Sequence, residues 1–285
     1  MTAWPMGVFA SIDAGLGVPL EVAHELGVPT VHLHTPHRAS RSDDRVTDFL
    51  RQLAQWSLKV TCVFAGFEGE SYANIPTVAQ TVGLVPKATR HERMQELLEI
   101  ADFARTLAVD VVGLHIGFIP HDRTSTNYQE VVAVARVACD HLVQNRQALH
   151  LETGQEPADV LLAFLGDVER DNLFVNFDPA NMILYGVGEP LPALRKLGAY
   201  VRSVHCKDAK WSSQPGMTWG TEVPIGLGDV DFSGYLRALA DIGYVGPLTI
   251  EREIPSEPAR QKAEIAAAIA LLRNLTYDLS VMSTP

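Results

Sequence analysis

Cysteine is scarce in this chain: three residues, at positions 62, 139 and 206, with no Cys-x-x-Cys pair among them. Too few and odd in number, they exclude a disulfide framework and read as reduced thiols. Positive charge is also in short supply. Lys and Arg total 23 against 34 Asp and Glu, a formal net charge of -11, so no basic stripe marks a nucleic-acid binder. No uninterrupted apolar run nears the ~18 residues of a membrane span. The opening Met1-Thr2-Ala3-Trp4-Pro5-Met6 lacks the basic and then apolar pattern of a secretory signal. These absences lead to the expectation of a cytoplasmic protein that acts on a small molecule, without membrane or nucleic-acid partners.

Apolar residues make up 47% of the 285 positions, enough for a full core at a length ordinary for one α/β barrel. Apolar runs of strand length alternate with segments of helical period, the pattern of a parallel sheet covered by helices. Strands are expected over 7–12, 30–34, 58–64 and 110–116, then in runs ending at Glu152, Asp178 and His205, and over 247–251. Helices are expected over 20–26, 43–56, 92–107, 127–145, 159–165, 191–197, 232–242 and 259–275. Eight of each argue for a single (β/α)8 TIM barrel over 1–285. Residues 66–86 and 207–231 are longer than such connections need. Both fall on the face where strand-to-helix loops gather, so both are candidates to enclose a substrate.

Four of these strands end in a metal-ligand side chain: Leu149-His150-Leu151-Glu152, Phe174-Val175-Asn176-Phe177-Asp178, Val201-Arg202-Ser203-Val204-His205 and Pro247-Leu248-Thr249-Ile250-Glu251. Singly, a strand-end carboxylate is as well explained by a helix cap or an ion pair, and a lone His by packing. On four successive parallel strands the ends converge at one mouth, so Glu152, Asp178, His205 and Glu251 can bind one divalent ion. Three carboxylates and an imidazole favour Mn²⁺, with Mg²⁺, Co²⁺ and Zn²⁺ compatible. Such an ion could hold adjacent hydroxyl and carbonyl oxygens of a sugar and stabilise an enediolate as a proton leaves the neighbouring carbon. A carboxylate on each side of that carbon would do the acid and base work.

Around these four stand weaker candidates. Lys207, in phase with His205, could hold a substrate oxygen, or be a solvated lysine paired with Asp208. His115, ending strand four, could bind a hydroxyl, relay a proton or only line the barrel, and His34, ending strand two, carries a similar case. Asp229 and Asp231 could contact substrate or His205, though Asp231 reads rather as a helix N-cap; Glu253, in phase with Glu251, could support that residue, though it reads rather as an exposed loop carboxylate. Trp211, Trp219 and Phe67 could roof a sugar ring or anchor their loops. Gly15-Leu16-Gly17 lacks the third glycine of a nucleotide-binding loop, and Cys206 is expected to point away from the barrel axis.

Together, Glu152-Thr153-Gly154, Asp178-Pro179-Ala180-Asn181, His205-Cys206-Lys207-Asp208, Gly226-Leu227-Gly228-Asp229-Val230-Asp231-Phe232 and Ile250-Glu251-Arg252 resemble the sugar phosphate isomerase/epimerase family of xylose isomerase-like barrels. The resemblance runs over nearly the whole chain. It implies that Glu152 and Glu251 both bind the metal and exchange protons on opposite faces of a ketose carbon, with Asp178 and His205 completing the metal site. Asn181 stands where many members carry a second histidine; it can hydrogen-bond to substrate but ligates poorly. That change, with the acidic charge, speaks against the three-zinc chemistry of the related abasic-site endonucleases. Leu227 stands where a glutamate is expected in many relatives. The resemblance therefore implies a divalent-metal-dependent isomerase or epimerase of a ketose, keto-sugar or related polyol. A lyase on the same parts, of the inosose or dehydroshikimate dehydratase type or a keto-glycoside eliminase, stays open, as do a sugar-binding barrel without turnover and a homo-oligomeric state.

Overall fold

The computed structural model describes residues 4–282. The N-terminal segment read above as no signal begins at residues 1–3, which lie outside that range. Eight parallel strands form the barrel: β1 Met6–Ser11, β2 Thr30–His34, β3 Lys59–Ala65, β4 Val111–Leu114, β5 Ala148–Glu152, β6 Leu173–Phe177, β7 Val201–Cys206 and β8 Leu248–Ile250. Each pairs with its neighbours in chain order, and Met6↔Leu248, Gly7↔Thr249 and Val8↔Ile250 close β8 onto β1. The expected closed (β/α)8 barrel is what the chain forms.

Alternation along the strands sorts side chains between two environments. Val8, Ala10, Val31, Leu33, Val112 and Leu114 share one apolar cluster with helix residues such as Phe49, Leu97 and Ile100. Inside the barrel Phe9, Cys62 and Phe64 form a small separate cluster. Polar groups occupy much of the remaining interior: His150 Nδ1 lies 2.7 Å from Ser203 Oγ, whereas Asn176 Oδ1 and Thr249 Oγ1 have no partner. All three cysteines are buried thiols, and Cys206 sits in the larger cluster with the helix residues.

Helices follow every strand as expected, but several features of the connections went unread. Strand 110–116 stops at Leu114 because the Ile116 carbonyl accepts from Leu84 N and Val85 N, at 2.8 and 3.2 Å, rather than from a neighbouring strand. Within 66–86 lies a short helix, Ile75–Thr81, whose N-cap Asn74 accepts from Thr77 N at 2.8 Å. A second, Pro179–Tyr185, opens directly after β6. Within 207–231 the segments Asp208–Lys210 and Thr221–Val223 pair antiparallel. Among the described residues no helix is long and apolar enough to cross a membrane.

Candidate metal centre

Glu152 is the last residue of β5, Asp178 follows β6, His205 lies in β7 and Glu251 follows β8. All four are buried, and one ligand atom of each lies within 4.8 Å of the others. His205 Nδ1 is 2.5 Å from Glu152 Oε1 and 3.2 Å from Glu251 Oε2. Asp178 divides its work between two roles. Its Oδ1 accepts from Ala180 N and Asn181 N, at 2.8 and 3.1 Å, capping the helix Pro179–Tyr185. Its Oδ2 is buried with no hydrogen-bond partner, a costly condition for a carboxylate oxygen unless something meets it. An oxygen without a partner, beside two further carboxylates and an imidazole nitrogen, fits a hard divalent cation.

The electrostatics agree with that fit. Burial pushes the Glu152 carboxyl up, but His115 and His205 outweigh it and hold Glu152 well below the usual carboxylate range. For Glu251, burial is likewise overcome, here by Lys207 and His205. Asp178 goes the other way: burial raises it, the Glu152 and Glu251 charges add to the rise, and Lys207 only partly offsets them. Three carboxylates thus share the site with the protonated His115, His205 and Lys207, and a bound cation would take the place of the proton that His205 holds against Glu152 and Glu251.

The outer groups hold the inner ones in place. His115 Nε2 lies 2.6 Å from Glu152 Oε2, and its Nδ1 is 3.2 Å from Gln155 Nε2; that amide donates to Tyr185 Oη at 3.1 Å. Burial lowers the His115 pKa, yet Glu152 overrides this and raises it to about 9. Lys207, 3% exposed, is ion-paired with Glu253 and lies 3.5 Å from Glu251 Oε2. It is therefore not the solvated lysine paired with Asp208. Glu253 in turn is no exposed loop carboxylate, because Lys207 draws it into the wall of the site.

One cavity of about 1040 Å³ opens over the cluster, its wall including Glu152, Glu251, Lys207, His115, Asn181 and His34. His34 Nδ1 sits 2.9 Å from the Thr35 carbonyl, which leaves Nε2 as the ring's other polar atom. Gly15, at φ +87°, lets the chain pass against this ring, since a Cβ there would lie 2.3 Å from His34 Cγ. Phe67 and Trp219 also line the cavity, whereas Trp211 packs on the apolar core. Asp229 departs from its expected place: its Oδ2 accepts from Trp211 N at 2.9 Å, and it is not part of this wall. Asp231 caps the helix Phe232–Asp241 by accepting from Gly234 N. Leu227 is exposed.

Several contributing residues were not read from the sequence. His32 lies in phase with His34 on β2, so period-two alternation would have placed it inside the barrel. The helix after Asp178 was signalled by Asp followed by Pro, an N-cap and first-turn pair. Gln155 and Tyr185 carry no local signal, because a tertiary contact brings them to His115.

A family model described as a xylose isomerase-like TIM barrel matches residues 20–275. The chain belongs to that family. This xylose isomerase-like barrel is 53% identical to a solved xylose isomerase domain protein from Planctomyces limnophilus, covering 97% of this chain and 99% of that one at a TM-score of 0.95. A xylose isomerase-like barrel from Mycobacterium smegmatis, solved in complex with magnesium, is 20% identical, with 96% and 97% covered and a TM-score of 0.68. D-psicose 3-epimerase from Clostridium cellulolyticum H10, solved with D-tagatose, is 18% identical, with 95% and 99% covered and a TM-score of 0.69. At those identities the last two share the fold. A comparison with curated protein sequences finds no match.

Proposed function

We propose that this barrel is a divalent-metal-dependent isomerase or epimerase of a ketose or keto-sugar. The observation that carries the reading is the meeting of Glu152, Asp178, His205 and Glu251 within 4.8 Å, with Glu152 and Glu251 lining an open cavity and Asp178 Oδ2 lacking a partner. Glu152, Asp178, His205 and Glu251 would hold the ion. When bound, it supplies Lewis-acid polarisation of a substrate carbonyl.

The protein's own groups account for the proton. Glu152 and Glu251 are both held ionised, so either can take a proton from carbon beside the carbonyl. They come from β5 and β8, three strands apart around the ring, which suits access from two sides of the reacting carbon. His115, protonated with a pKa of about 9 and set against Glu152 Oε2, can pass a proton to Glu152 for return to the carbon once Glu251 has taken one. Lys207, fixed between Glu251 and Glu253, can hold a substrate oxygen. His34 and Asn181 line the same cavity and can bind hydroxyls.

The similarity to a D-psicose 3-epimerase supports a sugar substrate, and the magnesium-bound relative supports a hard metal. The test is incubation of Mn²⁺-loaded protein with a panel of ketoses in D₂O, followed by NMR. Deuterium should enter at the carbon next to the carbonyl. No exchange with any ketose, in protein shown to hold metal, overturns the reading.

A further inference from the structure

The cavity is larger than the proposed chemistry requires. At about 1040 Å³ it reaches the top of the ~300–1,000 Å³ range of pockets that enclose drug-sized ligands, bodies larger than one hexose. The metal-ligating residues come from β5 to β8, whereas the cavity runs across the mouth to the loops after β2 and β3. There its wall includes Thr35, Arg41, Thr89 and Arg93. Each of these residues has a buried side-chain polar atom without a partner: Thr35 Oγ1, Arg41 Nη1, Thr89 Oγ1 and Arg93 Nε. Nearly all buried polar atoms in proteins are satisfied, so four such atoms gathered in one wall call for an explanation.

The remaining contacts fix these side chains. Arg41 donates to the Pro36 carbonyl at 2.8 Å and to Glu96 Oε1 at 3.0 Å. Arg93 donates to the carbonyls of Gly83 and Glu68, at 2.9 and 3.3 Å, and packs over the Phe67 ring. Arg38, Arg41 and Arg93 line this arm together with Glu68, Glu70, Glu92 and Glu96, so the wall has no excess positive charge with which to draw a phosphate. Guanidinium donors, hydroxyls that both donate and accept, and an adjacent aromatic ring suit a neutral polyhydroxylated body.

We propose that the arm after β2 and β3 is a second subsite that binds a further sugar unit, making the preferred substrate a glycosylated ketose or keto-sugar rather than a monosaccharide. This rests on the reading that the reacting sugar sits at the metal centre. The test is calorimetry on Mn²⁺-loaded protein with D-fructose, fructose 6-phosphate and the ketose disaccharides lactulose, maltulose, turanose and isomaltulose. At least one disaccharide should bind about tenfold or more tightly than fructose. That ratio should fall to near one in Arg41→Ala and drop severalfold in Thr35→Val, a nearly isosteric change that tests the same wall if Arg41→Ala misfolds. Disaccharides no tighter than fructose, a preference for the phosphate, or a ratio unmoved in the folded variants overturns the subsite. Deuterium exchange separates the two claims: an Arg41-dependent disaccharide preference without exchange leaves the subsite standing and removes the isomerase.

Discussion

His205 Nε2 lies 3.0 Å from His32 Nδ1, deep inside the barrel. Burial, and then the charge of His205, lower the His32 pKa well below its ordinary value, so His32 is neutral and can accept a proton from Nε2. Glu152 and Glu251 hold His205 protonated here; an ion replacing the Nδ1 proton would leave Nε2 donating to His32 and Nδ1, turned to Glu152 and Glu251, as the ligand atom. Outer partners of this kind commonly carry ~10–100-fold in metal affinity. His32→Leu should weaken Mn²⁺ binding by about that factor in a calorimetric titration while the circular dichroism spectrum stays native. Unchanged affinity would mean that packing alone orients His205.

Glu152→Gln and Glu251→Gln keep shape but remove the proton-carrying oxygen. Each should lower the rate of deuterium exchange into a ketose by about 10²–10⁴-fold. Asn181→Ala should mainly raise KM, because Asn181 lines the cavity without belonging to the four-residue cluster. A glutamate variant that exchanges at the parent rate removes that residue from the proton transfer.

How far the sequence could be read depends on the range of the interaction involved. The barrel and the gathering of its four strand-end side chains were legible because alternation and strand length are local, and the closed topology then brings distant ends together. Asp178 was legible as a strand-end carboxylate of the cluster but concealed a helix start, since its Oδ1 caps the helix that follows. The fates of Lys207 and Glu253 were not legible. Each is an ordinary charged residue beside a strand end, and only the approach of β7 to β8 pairs them. Asp229 failed for a related reason: a loop carboxylate goes to the nearest free amide, here Trp211 N, which the chain order does not disclose.

Asp208 organises the loop that follows the metal centre. Its Oδ1 accepts from Ala209 N and Val230 N, at 2.9 and 3.1 Å, and its Oδ2 from Gly226 N and Gly228 N, both at 2.9 Å. A Cβ at Gly228 would lie 2.1 Å from Asp208 Oδ1, so only glycine fits there. Asp208→Ala leaves four amides without an acceptor and should destabilise the protein by about 2 kcal/mol, read from urea unfolding. Hydrogen exchange should quicken at Gly226, Gly228 and Val230; native protection at all three would show that water replaces the carboxylate at no cost.

Glu156 supplies a pH dependence distinct from that of the four-residue cluster. It is 3% exposed, and its Oε1 accepts from Ile119 N at 2.6 Å. Burial raises its pKa from 4.5 to about 8, against the opposing pull of that amide and of His115. The folded state therefore holds this proton where the unfolded chain has lost it, and stability falls as pH rises between those two values. Glu156→Gln keeps an acceptor for the Ile119 amide and has no proton to lose. Urea midpoints from about pH 5 to about pH 9 should show the variant gaining on the parent up to about pH 8 and holding a constant lead above it. Parallel curves across that range would place the Glu156 carboxyl in contact with water and return its pKa to the ordinary value.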